Sequence, residues 1–207
     1  KCPMAPSAAE TRTTDARSRL QLIVAGGVGL AAASPILRAL LGTGAADAAS
    51  KSEDLRILQL VLLVEYTQVA LYERALNEAS LTGELRDFAQ IALGHERQHL
   101  AAVKQALGSK AGPKPRFEFG LKTKSADAFR ETAIKLEDIA VAGYNGQATN
   151  LTKPTLAVAA EIVSVEARHA AWVRAIADEV AAPDPVDKPM TASEVAAGLR
   201  EIGLRTS

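Results

Sequence analysis

The chain repeats itself, and that repeat narrows its fold more than any other feature. "EYTQVALY" from Glu65 and "EDIAVAGY" from Glu137 both read E, three variable residues, V, A, one variable residue, Y. "ERQHLAAVK" from Glu96 and "EARHAAWVR" from Glu166 both read ExxHxAxV followed by a base. The spacing agrees as well, since 96 minus 65 is 31 and 166 minus 137 is 29. A two-part unit has been used twice, and such self-similarity outweighs any single short motif.

Each part reads as a helix. From Ser52 onward Leu58, Leu62, Glu65, Val69, Tyr72 and Leu76 follow in steps of four and three, the inward stripe of a bundle helix that "SLTG" ends. A second helix is predicted from Thr82 to Leu107, stopped by Gly108, with Leu85, Ala89, Ala92, Glu96, His99, Val103 and Ala106 inward. A third spans Ser125 to Thr149, with Ala133, Glu137, Ala140 and Tyr144 inward. The fourth spans Pro154 to Val180, with Ala159, Ile162, Glu166, His169, Val173 and Ile176 inward. Every stripe turns polar at mid-height.

Short links make each unit an antiparallel hairpin. Between the hairpins lies "SKAGPKPRFEFGLKT", 15 residues from Ser109 to Thr123. Fully extended it spans roughly 50 Å, against roughly 38 Å for a helix of 25 residues, so it can cross the length of the bundle. The third helix is then parallel to the second, and all four polar mid-points fall at one level. After Pro183, Pro185 and Pro189, Thr191 and Glu194 form a capping box for a short last helix. The expected organisation is an all-α four-helix bundle over residues 51–182, a C-terminal extension over 183–207 and a separate segment over 1–50.

Four glutamates and two histidines converging in an apolar bundle demand a chemical reason. Bare, the acids place four negative charges in a low-dielectric core at several kcal/mol per ion. Two divalent cations neutralise them. Carboxylates with one imidazole per ion suit iron or manganese better than a soft-ligand zinc or copper site. Residues three apart on a helix share a face, so Glu96 with His99, and Glu166 with His169, each look toward one centre.

The order E, ExxH, E, ExxH on four helices resembles the ferritin-like di-iron carboxylate superfamily. Within it, "LEDIAVAGYNGQA", "EIVSVEARHAAWVR" and "PDPVDKPMTASEV" resemble the exported ferritin-like domain family that includes the desiccation-related proteins. The resemblance covers residues 52 to 200. It implies that Glu96 and Glu166 bridge two metals, that His99 and His169 each cap one, and that Glu65 and Glu137 are terminal carboxylates. It also implies reaction of a dinuclear iron centre with oxygen or peroxide, in a ferroxidase or peroxide-detoxifying role. A non-catalytic stress protein whose metal holds the bundle together is the alternative. A bundle that uses its surface to bind a partner is a third reading.

A competing motif overlaps the second helix. From His95 to His99 the chain reads HExxH, the zinc-protease pattern. That reading keeps Glu96 unligated as a base, needs a third ligand from downstream and leaves the repeat without purpose. The second copy has Val165 where His95 stands, so both copies keep ExxH alone. His95 is therefore placed beside the ligand pair, toward the bundle edge. Tyr72 and Tyr144 lie seven residues after a terminal glutamate, roughly 10 Å along the axis, too far to bind metal. They read as core tyrosines with satisfied hydroxyls beside the site, and Trp172 as packing next to His169.

Composition excludes some partners. Lys plus Arg equals Asp plus Glu at 24 each, so the overall balance calls for neither nucleic acid nor an anionic surface. Lys110, Lys114, Arg116, Lys122 and Lys124 read as a solvated loop. Cys2 is the only cysteine, which rules out an internal disulfide and a thiolate metal site. Arg12, Arg17 and Arg19 precede a largely apolar run of 14 residues from Leu20 to Ala33, and Ala46, Asp47 and Ala48 follow as a small-residue site. This order predicts export, to the periplasm or beyond or to a thylakoid lumen, with a mature chain beginning near Ala49. Retained, the same run is the one place for a membrane anchor, although Pro35 and Arg38 interrupt it short of the ~20 residues of a span.

Overall fold

The computed structural model describes residues 49–205, so Cys2 and the run from Arg12 to Ala48 on which the expectation of export rests lie outside the described residues. Four long helices make the bundle: α1 (Lys51–Glu78), α2 (Gly83–Leu107), α3 (Ala126–Gln147) and α4 (Lys153–Ile176). A fifth, α5 (Ala192–Ile202), follows the proline-rich link.

Side-chain ties between helix ends fix their directions. Asp54, at the start of α1, accepts hydrogen bonds from the Thr152 backbone N–H at 2.9 Å and the Thr155 hydroxyl at 2.6 Å, at the start of α4. At the other end Trp172 of α4 donates to Glu84 of α2 at 2.8 Å, and Thr123, before α3, donates to Glu78 of α1 at 2.6 Å. Hence α1 and α4 run one way, α2 and α3 the other. The crossover runs the full length of the bundle, as its reach predicts. It is not plainly extended: two 3₁₀ turns flank a two-residue strand, β1 (Arg116–Phe117), which pairs antiparallel with β2 (Leu204–Arg205) after α5.

The caps follow from local chemistry. Ser50 and Ser125 accept from the backbone three residues on and start α1 and α3. Thr191 and Glu194 close the expected capping box of α5. Gly108, at φ 56°, stops α2. Two expectations need correction. The fourth helix ends at Ile176, not Val180, because Asp178 turns left-handed at φ 58° and Glu179 bonds back to the Arg174 carbonyl. Ala106 is exposed; Leu107 fills the core below it, because the stripe drifts by one residue over the last turn.

The core is divided in two by a polar layer. One half gathers Tyr72, Phe88, Phe129, Leu136 and, from α5, Val195 and Leu199. The other gathers Ile57, Val61, Val103, Tyr144 and Ile162. The segment leading into α5 lies hard against α3, where a Cβ on Gly146 would come 1.9 Å from the Met190 carbonyl oxygen. This close approach accounts for the second glycine in "AGYNGQ". By length and hydropathy α1 could cross a membrane, but most of its apolar window is buried inside the bundle, as a core helix requires.

Candidate metal centre

The polar layer brings together all six residues singled out by the repeat. Glu65, Glu96, Glu137 and Glu166 are fully buried, His169 is 3 % exposed and His99 lies at the edge of burial. Their ligand atoms form two overlapping groups: Glu65, Glu96, His99 and Glu166 in one, Glu96, Glu137, Glu166 and His169 in the other. Glu96 and Glu166 belong to both.

The distances are those of donors around an ion. His99 Nδ1 stands 3.0 Å from Glu96 Oε2, 2.9 Å from Glu166 Oε1 and 3.7 Å from Glu65 Oε2. His169 Nδ1 stands 2.9 Å from Glu96 Oε1 and 3.7 Å from Glu137 Oε2. Adjacent oxygen donors about 2.1 Å from one octahedral cation are separated by about 3.0 Å. Glu65 Oε2, Glu96 Oε1, Glu166 Oε1 and His169 Nδ1 are buried with no aligned hydrogen-bond partner among the described residues. Buried polar atoms are seldom left so, and four converging on one space fit a bound cation. Carboxylates and imidazoles without thiolate are a donor set for such a cation.

Electrostatics describe how the layer survives without metal. Burial, then repulsion from Glu166 and Glu96, pushes Glu65 well above the usual carboxylate range. Burial, with Glu96 and Glu137 close by, does the same to Glu166. Glu96 goes the other way: burial raises it, but the approach of His169 and His99 wins and takes it to about 2. For His99 and His169 burial is the largest influence and lowers them, yet the surrounding carboxylates outweigh it and raise each to about 10. Protons thus hold the place of cations.

Both tyrosine hydroxyls are satisfied, each across the bundle. Tyr144 of α3 donates to Glu65 of α1 at 2.7 Å, and Tyr72 of α1 donates to Glu137 of α3. His95 belongs to neither metal-capable group; its Nδ1 lies 2.9 Å from His169 Nε2, with the rings nearly parallel. The two histidines of HExxH therefore do not converge on one ion, and Glu96 is held among the other ligands. Glu73 and Glu78 are engaged elsewhere, with Arg97 and with Thr123.

One residue of the layer escaped the sequence reading. Gln68 Nε2 donates to Glu166 Oε2 at 2.7 Å and to both Glu137 oxygens at 3.3 Å. It lies three residues after Glu65, on the same face of α1, which is the signal that could have found it. The repeat hid it, because the matching position of the third helix is Ala140.

A hollow of about 460 Å³ between α2 and α4, lined by His95, His99, Val165 and His169, connects the layer with solvent. No curated protein matches the chain. Its residues 53–179 match the family model of the ferritin-like domain. That span covers more than half of the chain, which belongs to the ferritin-like domain family.

Proposed function

We propose that this bundle is an exported protein that binds a pair of iron ions, with manganese as the competing metal, and oxidises Fe(II) with oxygen or peroxide. The observation that carries the reading is the set of buried ligand atoms from Glu65, Glu96, Glu166 and His169, which face one another without an aligned hydrogen bond among the described residues. Glu96 and Glu166, shared by both groups, would hold both ions in this reading. Glu65 with His99, and Glu137 with His169, complete the two positions. A ferrous pair held there would supply two electrons to the oxidant.

The chain's own groups do the rest. Glu65, Glu166 and the two imidazoles give up protons as the cations enter, so binding is linked to proton release. Tyr144 and Tyr72 hold the terminal carboxylates from the far helix, and Gln68 holds Glu166. The hollow beside His95 and His99 admits small polar molecules. Export is supported by the basic flank, apolar run and small-residue site in the sequence.

Oxygen consumption after anaerobic loading with Fe(II) tests the proposal. Two irons bound per chain, with oxygen or peroxide consumed in proportion to iron, is the expected result. Two irons bound without consumption of either oxidant would leave a metal-stabilised structural protein in its place.

A further inference from the structure

The internal repeat provides a reference for each end of the bundle. Since 137 minus 65 is 72 and 166 minus 96 is 70, α1 matches α3 at an offset of 72 and α2 matches α4 at an offset of 70. At one end Tyr72 meets Phe88 and Phe129 edge-on, both at 5.8 Å, and Phe88 meets Trp172 at 5.3 Å. The matching residues at the other end are Tyr144, Val158, Ile57 and Ala102. The tyrosine is kept, and all three large aromatic rings are replaced by smaller side chains. A cavity of about 200 Å³ stands there, and these four residues line it.

Its position relates it to the metal layer. Val61, Val103 and Ile162, also in its lining, lie four residues from Glu65, His99 and Glu166, roughly 6 Å along each helix. Tyr144, which holds Glu65, forms part of the wall. The mouth lies between Ala102 and Ala106 of α2 and Val158 of α4, all of them exposed. The polar hydroxyls at the cavity are already engaged, Tyr144 with Glu65 and Thr155 with Asp54. Among the described residues, no charged side chain lines it. Apolar cavities of about 150 Å³ stay dry and take up benzene, so this one suits a single aromatic ring or a short alkyl chain.

We propose that the cavity is a binding site for a small uncharged hydrocarbon-like molecule, held one helical turn from Glu65, His99 and Glu166. The repeat argues against a mere packing fault, because the chain fills the matching space at the other end with Phe88, Phe129 and Trp172. Binding itself rests on the cavity alone; its role as the molecule facing an oxidising centre rests on the proposed function.

Toluene is the probe. It is titrated into the full chain, metal-free and Mn(II)-loaded, with methyl NMR signals of Ile57, Val103 and Ile162 as the readout. Saturable shifts at these methyls in both forms are expected. Ala102→Trp and Val158→Phe each import the residue that fills the opposite end, and each should weaken toluene binding at least tenfold while leaving Mn(II) content unchanged. Two variants on different helices guard against the misfolding of one. Absence of shifts in the wild-type chain, or equal toluene binding by both folded variants, would overturn the site. Metal content is measured separately, so a protein that binds toluene but no metal overturns the proposed function and leaves the cavity site standing.

Discussion

Tyr144 donates its hydroxyl to Glu65 Oε1 at 2.7 Å, so the carboxylate of the first helix is held by the third. Tyr72 returns the bond to Glu137. Each removes one open acceptor from a fully buried acid, a bond to a charged or partly charged group typically worth about 1.5–3 kcal/mol. Tyr144→Phe and Tyr72→Phe should each lower the stability of the metal-free chain by about 1–3 kcal/mol in urea unfolding. Mn(II) affinity should fall by about tenfold or more, as for other groups that orient a metal ligand. Unchanged affinity in both variants would show that the tyrosines serve packing alone.

The shifted acids predict how the metal-free bundle responds to pH. Glu65 and Glu166 are raised above 4.5, so folding holds protons that the unfolded chain has lost. Their stabilisation is full below that value and disappears as pH rises through the raised values. His99 and His169, raised from 6.5 to about 10, add stability that is lost as pH rises through about 10. Glu96 acts in the opposite sense, but only as pH falls toward about 2. The metal-free chain should therefore melt at a lower temperature near pH 8 than near pH 5, and added Mn(II) should raise the melting temperature more at the higher pH. Calorimetry at both pH values checks this; a metal effect that is larger at the lower pH would contradict the linkage.

The layer of glutamate and histidine was legible because two independent signals coincided, the helical stripe and the repeat. Each of Glu65, Glu96, His99, Glu137, Glu166 and His169 satisfied both, and the structure places all of them in one plane of the bundle. Gln68 met neither signal, since the stripe of α1 runs from Glu65 to Val69 and Ala140 stands at its repeat position. The partners of the tyrosines were hidden for another reason. Spacing along one helix shows that Tyr144 is remote from Glu137, but says nothing of its nearness to Glu65 on a different helix. The end of α4 depended on one backbone angle at Asp178, which no side-chain pattern announces. The cavity needed both sources, since the substitutions are in the sequence but the space they leave belongs to packing.

Asp54 separates the fold from the site. Its carboxylate accepts from the Thr152 backbone, the Thr152 hydroxyl and the Thr155 hydroxyl, joining the start of α1 to the start of α4. It thereby holds the backbone N–H of the N-cap residue Thr152, as the acid of a capping box does, and loss of a cap costs about 0.5–2 kcal/mol. Asp54→Ala should lower the melting temperature of metal-free and metal-loaded protein alike. Metal content should stay at that of the wild type, since Asp54 lies about three helical turns from Glu65. A loss of bound metal in this variant would show that the ends of the helices, and not the layer alone, set the geometry of the centre.

His95 decides between the two motifs that share "GHERQHL". In the structure its Nδ1 touches Nε2 of His169, the nitrogen of that ring turned away from the carboxylates, and it belongs to neither metal group. Groups that bond the far nitrogen of a ligating imidazole typically contribute about 10–100-fold to affinity without contributing a donor. His95→Ala should therefore still reach two metals per chain at saturation, with one of the two bound more weakly. His169→Ala and Glu137→Ala each delete a donor from the group at that position, and should bind fewer metals even at saturation. A zinc site built on HExxH gives the opposite order: His95→Ala empties it, and Glu137→Ala, in the third helix, leaves it full. Metal analysis of the three variants after anaerobic Fe(II) loading distinguishes the two, and loss of metal in His95→Ala alone would sink the assignment to Glu65, Glu96, His99, Glu137, Glu166 and His169.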